Sequence, residues 1–167
     1  MNKRGDEGLL PEELVRLVLA VICILALVAL LVALYFTITG NQNKKYAEDS
    51  MKDEQGGLAA EIIRINNAGA PKEQGQPVPN PSGWYIFSFV GGELKPNLCT
   101  GNNCVCICES VRANIFDWKK RQVNKCDDKG SCTLVSNLKK FDKIKIERGG
   151  TALLIRKINS EIEITRK

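Results

Sequence analysis

Leu17 to Phe36 reads LVLAVICILALVALLVALYF, twenty residues without a charge, a glycine, a proline or an amide. Bilayer hydrocarbon about 30 Å thick is crossed by about 20 apolar residues, and only a helix satisfies its own backbone there. The run therefore predicts a transmembrane helix over residues 14–38. A cleaved secretory signal needs a shorter apolar stretch followed by small residues, whereas here the bulky Tyr35-Phe36-Thr37-Ile38-Thr39 follows. A core helix of a soluble domain rarely stays apolar on every side.

Working outward, the 128 residues from Gly40 to Lys167 have room for one modest domain and a connector, not for a large enzyme. They carry 21 Lys and Arg against 15 Asp and Glu, a net of +6, a mildly basic balance that solubility alone explains. The chain has no histidine, which removes the commonest general acid/base and the commonest zinc ligand. No glycine-rich phosphate loop, Ser-His-Asp set or metal-spaced carboxylate cluster occurs. The expectation is a protein that is not an enzyme and takes no cofactor and no metal.

Charges flanking the run do not orient it, because Lys3, Arg4 and Arg16 precede it and Lys44, Lys45 and Lys52 follow. Cysteines do. Six of the seven lie toward the C-terminus (Cys99, Cys104, Cys106, Cys108, Cys126 and Cys132), an even number in a small domain. Disulfides persist outside the reducing cytosol. The expected topology is a single pass in the cell membrane, with residues 1–13 a cytoplasmic leader and the C-terminal domain extracytoplasmic. Cys23, inside the span, reads as a small apolar residue. With Ala26, Ala29 and Ala33 it places small side chains on one side of the helix, where another helix can approach closely.

The leader, MNKRGDEGLLPEE, ends in Pro11-Glu12-Glu13, and proline and acids in a first turn are helix-start signals. It resembles the class III signal peptides of type IV pilins and archaellins, in which a basic segment ends at Gly and a Glu lies five residues into the mature apolar helix. Processing after Gly8 would put Glu13 at that fifth position, but leaves Asp6 and Glu7 where the family has basic residues. Processing after Gly5 follows Lys3-Arg4, but puts Leu10 where the Glu belongs. The chain as a whole is similar to small archaeal single-span membrane proteins that join such a leader to a Cys-x-Cys-x-Cys head, here Cys104-Val105-Cys106-Ile107-Cys108. The resemblance implies an envelope-associated surface protein, pilin-like in architecture, with the bilayer as a partner and self-assembly or other envelope proteins contacted through the helix. It names no activity.

Thr37 to Asn43 is expected to leave the bilayer, and residues 39–67 to form an amphipathic helical stem. Met51, Gln55, Leu58, Ile62 and Ile65 recur at helical spacing, and Gly56-Gly57 makes this one helix with a weak point or two consecutive helices. Fewer than three heptads are present, so this seam is expected to pack on its own head rather than form a coiled coil with neighbours. Residues 68–83 (AGAPKEQGQPVPNPSG) read as a Pro/Gly-rich linker or an extended crossing strap. Residues 84–167 read as an extracytoplasmic cysteine-rich β domain, giving an α+β fold class. Its strands are expected at Trp84–Val90, Val105–Val111, Thr133–Val135, Lys143–Glu147, Ala152–Ile158 and Glu161–Arg166 in one small antiparallel sheet. Gly149-Gly150 and Asn159-Ser160 are the expected hairpin turns, with Ile144, Ile146, Ile162 and Ile164 facing the core.

If Cys104 to Cys108 is a strand, its three cysteines project from one face about 7 Å apart, too far to pair with each other. Each then takes a partner from Cys99, Cys126 and Cys132. The short Cys99–Cys104 loop favours that pair and leaves the order of the other two open. The spacing lacks the Cys-x-x-Cys of zinc knuckles and of redox pairs. Finally, Trp118-Lys119-Lys120-Arg121, Lys125, Lys139, Lys140, Lys143 and Lys145 form a basic, aromatic-bearing stretch interspersed with Asp117, Asp127, Asp128 and Asp142. It reads as a solvated loop face, with acidic envelope polymers or lipid headgroups as the functional alternative. The compartment argues against nucleic acid, and none is expected as a partner.

Overall fold

The computed structural model describes residues 11–52, 56–68, 73–111 and 117–167. The candidate processing positions Gly5 and Gly8 lie outside them, as does Gln55 of the helical seam. The chain divides into two compact units, Met1–Thr39 and Gly40–Lys167.

Helix α1 spans Pro11–Met51. Its apolar run is long and apolar enough to cross a membrane, and its large side chains stand exposed, for example Leu25 at 63% and Phe36 at 68%. The helix runs through Thr37 to Asn43 without a break. The Thr37 hydroxyl donates to the Ala33 carbonyl 2.9 Å away, an intrahelical bond, and one interior glycine, Gly40, costs only about 1 kcal/mol.

In the second unit the end of α1 and helix α2 (Leu58–Asn66) are two helices rather than one. Gly56 lies at φ 102°, in the left-handed region that glycine adopts without strain. A side chain at Gly57 would collide with the Lys52 carbonyl. Ala47, Met51, Leu58, Ile62 and Ile65 are buried in the unit's own core, so the amphipathic seam is used internally.

Of the two readings of residues 68–83, linker or extended crossing strap, the linker is corrected for Glu73–Val78, which is strand β1. β1 pairs antiparallel with β6 (Thr151–Ile158), which pairs with β7 (Glu161–Arg166), in the sheet order β1-β6-β7. An edge strand tolerates proline, which accommodates Pro77 opposite Ala152. Gln76 and Val78 turn inward, and Gln76 donates from Nε2 to the Gly56 carbonyl at 2.7 Å. Support from β6, rather than local hydrophobicity, makes this segment a strand.

The remaining strands form a second antiparallel sheet in the order β4-β3-β2-β5. They are β2 (Tyr85–Phe89), β3 (Cys104–Cys108), β4 (Ser131–Leu134) and β5 (Ile144–Lys145). The expectation of one sheet is thus corrected to two. Asn159 and Ser160, at φ 49° and 68°, form the β6–β7 hairpin turn, a backbone twist that suits paired strands. Gly149-Gly150 does not join paired strands, because β5 pairs with β2. The Thr151 hydroxyl donates to the Lys145 carbonyl and accepts from the Glu147 N–H, both at 3.0 Å. These bonds make a corner from one sheet to the other. Ile144, Ile146, Ile162 and Ile164 all reach the shared core, together with Ile86, Val105, Ile107, Leu153 and Ile155.

A third helix, α3 (Trp118–Lys129), occupies part of what reads as a loop face. Its sequence WKKRQVNKCDDK is mostly polar; only Gln122, Val123 and Cys126 are buried.

Candidate functional site

Strand β3 alternates in function along five residues that are all buried. Val105 and Ile107 enter the main core, whereas Cys104, Cys106 and Cys108 face a second cluster with Phe89, Cys99, Val123 and Cys126. Period-2 geometry enforces this division. Three disulfides result: Cys99–Cys104, Cys106–Cys132 and Cys108–Cys126. Every cysteine of the triplet pairs outside it, and the short loop closes on itself through Cys99–Cys104. Cys106 and Cys132 sit directly opposite on β3 and β4, with Cα atoms 4.1 Å apart.

The sulfurs of Cys99, Cys104 and Cys106 lie within 4.8 Å of one another. All three are disulfide-bonded, so they offer no thiolate to a metal ion in this oxidised form. Cys23 is a free cysteine exposed on α1, as Ala26, Ala29 and Ala33 are exposed beside it. Glu13 is exposed in the first turn of α1.

Helix α3 is held in place by side chains as well as by Cys108–Cys126. Gln122 Nε2 donates to the Glu109 carbonyl and its Oε1 accepts from the Val111 N–H, both at 2.8 Å. Lys125 Nζ pairs with Glu109 at 3.1 Å. Gly130 permits the close approach of the helix end to β3. A Cβ there would lie 2.6 Å from the Cys126 carbonyl oxygen and 2.9 Å from Cys108 Cβ.

Between the start of α3 and β2 lies a cleft of about 440 Å³, within the usual range for small-ligand pockets of about 300–1,000 Å³. The register places Tyr85, Phe87 and Phe89 on the disulfide side of β2, opposite Cys108, Cys106 and Cys104. Successive ring centroids along this row are 6.2 Å apart. Phe87, Phe89, Trp118 and Phe141 contribute aromatic surface to the cleft. Ser88 fixes the Phe141 segment by exchanging two hydrogen bonds with its backbone, at 2.9 and 3.0 Å.

Lys119, Lys140 and Lys143 bring positive charge to the same cleft, with Glu93 and Asp142 opposing them. Lys140 and Glu93 neutralise each other at 2.6 Å. Lys143 Nζ donates to Ser110 Oγ at 3.1 Å and sits 4.9 Å from the Tyr85 ring centroid. Lys119 Nζ is 5.9 Å from the Trp118 ring centroid. Among the described residues, neither Lys119 nor Lys143 has a carboxylate partner. Of the basic stretch read from sequence, the structure gathers Trp118, Lys119, Lys140 and Lys143 at one site. Lys125 and Lys139 are spent on Glu109 and Glu163. The residues that sequence reading missed are Phe87 and Phe89, whose only signal was the alternation of aromatic residues in WYIFSFV, and Phe141, which carried no such signal.

Comparison with protein-family models, with curated protein sequences and with solved structures finds no match.

Proposed function

We propose that this chain is a membrane-anchored, extracytoplasmic structural or interaction protein with a pilin-like plan. The observation that carries this reading is α1, a 41-residue helix whose apolar side chains are exposed from Leu14 to Ile38, while Ala47 and Met51 near its end are buried in the core of the second unit. Exposing so many large apolar groups to water is unfavourable at about 25 cal/mol per Å². Lipid or the helices of other subunits relieve that cost. Three disulfides favour a domain outside the cytosol.

A second reading, a monomeric anchored binding module, is favoured by the aromatic and cationic cleft. N-terminal sequencing of the chain isolated from native membranes separates the two. Processing after Gly5 or Gly8 supports the filament subunit, whereas an intact leader on the mature chain supports the anchored module. Recovery of the chain in the soluble fraction without detergent would refute both.

A further inference from the structure

We propose that the cleft between β2 and α3 binds an acidic polysaccharide, its aromatic floor stacking on sugar rings and its lysines pairing with uronate carboxylates. This deepens the binding-module reading and rests on the extracytoplasmic placement of the domain only for the choice of glycan over nucleic acid. The chemistry of the lining carries the rest. Pyranose rings present C–H faces that pack on aromatic rings, and Phe87 and Phe141, both half-buried, line the cleft. Trp118, 44% exposed, adds a third.

Charge makes the preference acidic. With Lys140 and Glu93 paired, Lys119 and Lys143 outweigh Asp142. Both hold their ammonium groups near ring faces rather than against carboxylates and are exposed, so their charge is open to an incoming anion. Lys120 and Arg121 continue the positive surface along α3 and are exposed, which provides for further acidic units of a polymer beyond the cleft.

The test titrates the full chain, in micelles of a non-ionic detergent, with a linear galacturonate hexasaccharide and follows tryptophan fluorescence. Trp84 is buried at 6% exposure and serves as the silent background to Trp118. The expected result is saturable quenching that weakens as salt rises and is absent with maltohexaose, a neutral hexasaccharide. Because Trp118 carries the fluorescence signal, Trp118→Ala is read by calorimetry, where loss of one stacking ring should weaken binding about fivefold. Lys119→Gln combined with Lys143→Gln should weaken it by about as much and flatten the salt dependence.

Equal binding of maltohexaose would overturn the proposal. So would binding confined to single-stranded DNA or to phosphatidylglycerol vesicles, or an unchanged affinity in both variants. These outcomes are read on purified chain and are independent of leader processing, so failure here leaves the anchoring proposal standing and failure there leaves this one.

Discussion

Removing the disulfides one at a time should reveal an order set by loop length. The loops closed by Cys106–Cys132, Cys108–Cys126 and Cys99–Cys104 span sequence separations of 26, 18 and 5. The loop-closure relation assigns them about 3.5, about 3.2 and about 2.1 kcal/mol of stabilisation through the unfolded chain. Double alanine variants of each pair are compared by guanidinium unfolding of the full chain in detergent, followed by Trp84 fluorescence. Cys106→Ala with Cys132→Ala should lose the most and Cys99→Ala with Cys104→Ala the least, a gap of about 1.4 kcal/mol, or about tenfold in the unfolding equilibrium. A packing account instead makes Cys106–Cys132 the least costly to remove. Cys99, Cys104, Cys108 and Cys126 are all fully buried, whereas Cys132 is half-buried, so lost burial would penalise the short loop more than the longest one. If the Cys99–Cys104 variant is the least stable of the three, the bridges act chiefly as core, and the entropic reasoning fails.

Two further outcomes follow from the second unit. Gly130→Ala should destabilise it by about 1–3 kcal/mol through overpacking against Cys126 and Cys108. Gly75→Ala, where a Cβ meets nothing within 4 Å, should be neutral or slightly stabilising; thermal melts of the pair check the contrast. Lys139 hydrogen-bonds Glu163 at 2.8 Å, which holds the Glu163 carboxyl below its ordinary value and the Lys139 ammonium above its own. The unfolded chain therefore takes up the Glu163 proton first as pH falls. The pair's contribution is complete near neutrality and is lost as pH drops through the depressed Glu163 value, and again as pH rises through the elevated Lys139 value. Glu163→Gln should flatten the acid limb of a melting-temperature profile between about pH 5 and about pH 3; an unchanged limb would refute the assignment.

Features with a strong local signal were legible in the sequence. The apolar run could only be a helix, and the period-2 cysteines, read as a strand, had to pair outside their triplet. Ile162 and Ile164 face inward as alternation requires. Three other features depend on partners distant in sequence. β1 has one large apolar residue, Val78, and is a strand because β6 completes its ladder. α3 is short of apolar residues because a disulfide and Gln122 do the work of a hydrophobic stripe; its only trace was Gln122, Val123 and Cys126 at one-turn spacing. The cleft joins Phe87, Trp118 and Phe141 from three separate segments, and no local pattern predicts that meeting.

The short strand β3 explains how this domain carries a cleft beside its second core cluster. A unit of this size gains limited stability from its core, and the half-buried Phe87 and Phe141 beside an exposed Trp118 are apolar area that does not contribute fully to it. On one face, Val105 and Ile107 supply burial shared with both sheets. On the other, Cys104, Cys106 and Cys108 replace burial with covalent closure and fix β4, α3 and the Cys99 loop around the same strand. Because Cys108–Cys126 anchors α3 from beneath, the helix can be polar on its outer side and present Trp118 and Lys119 at the cleft without a hydrophobic stripe of its own. Covalent closure thus makes a small second core of Phe89, Val123 and the cysteines, and leaves Phe87 only half-buried at its edge.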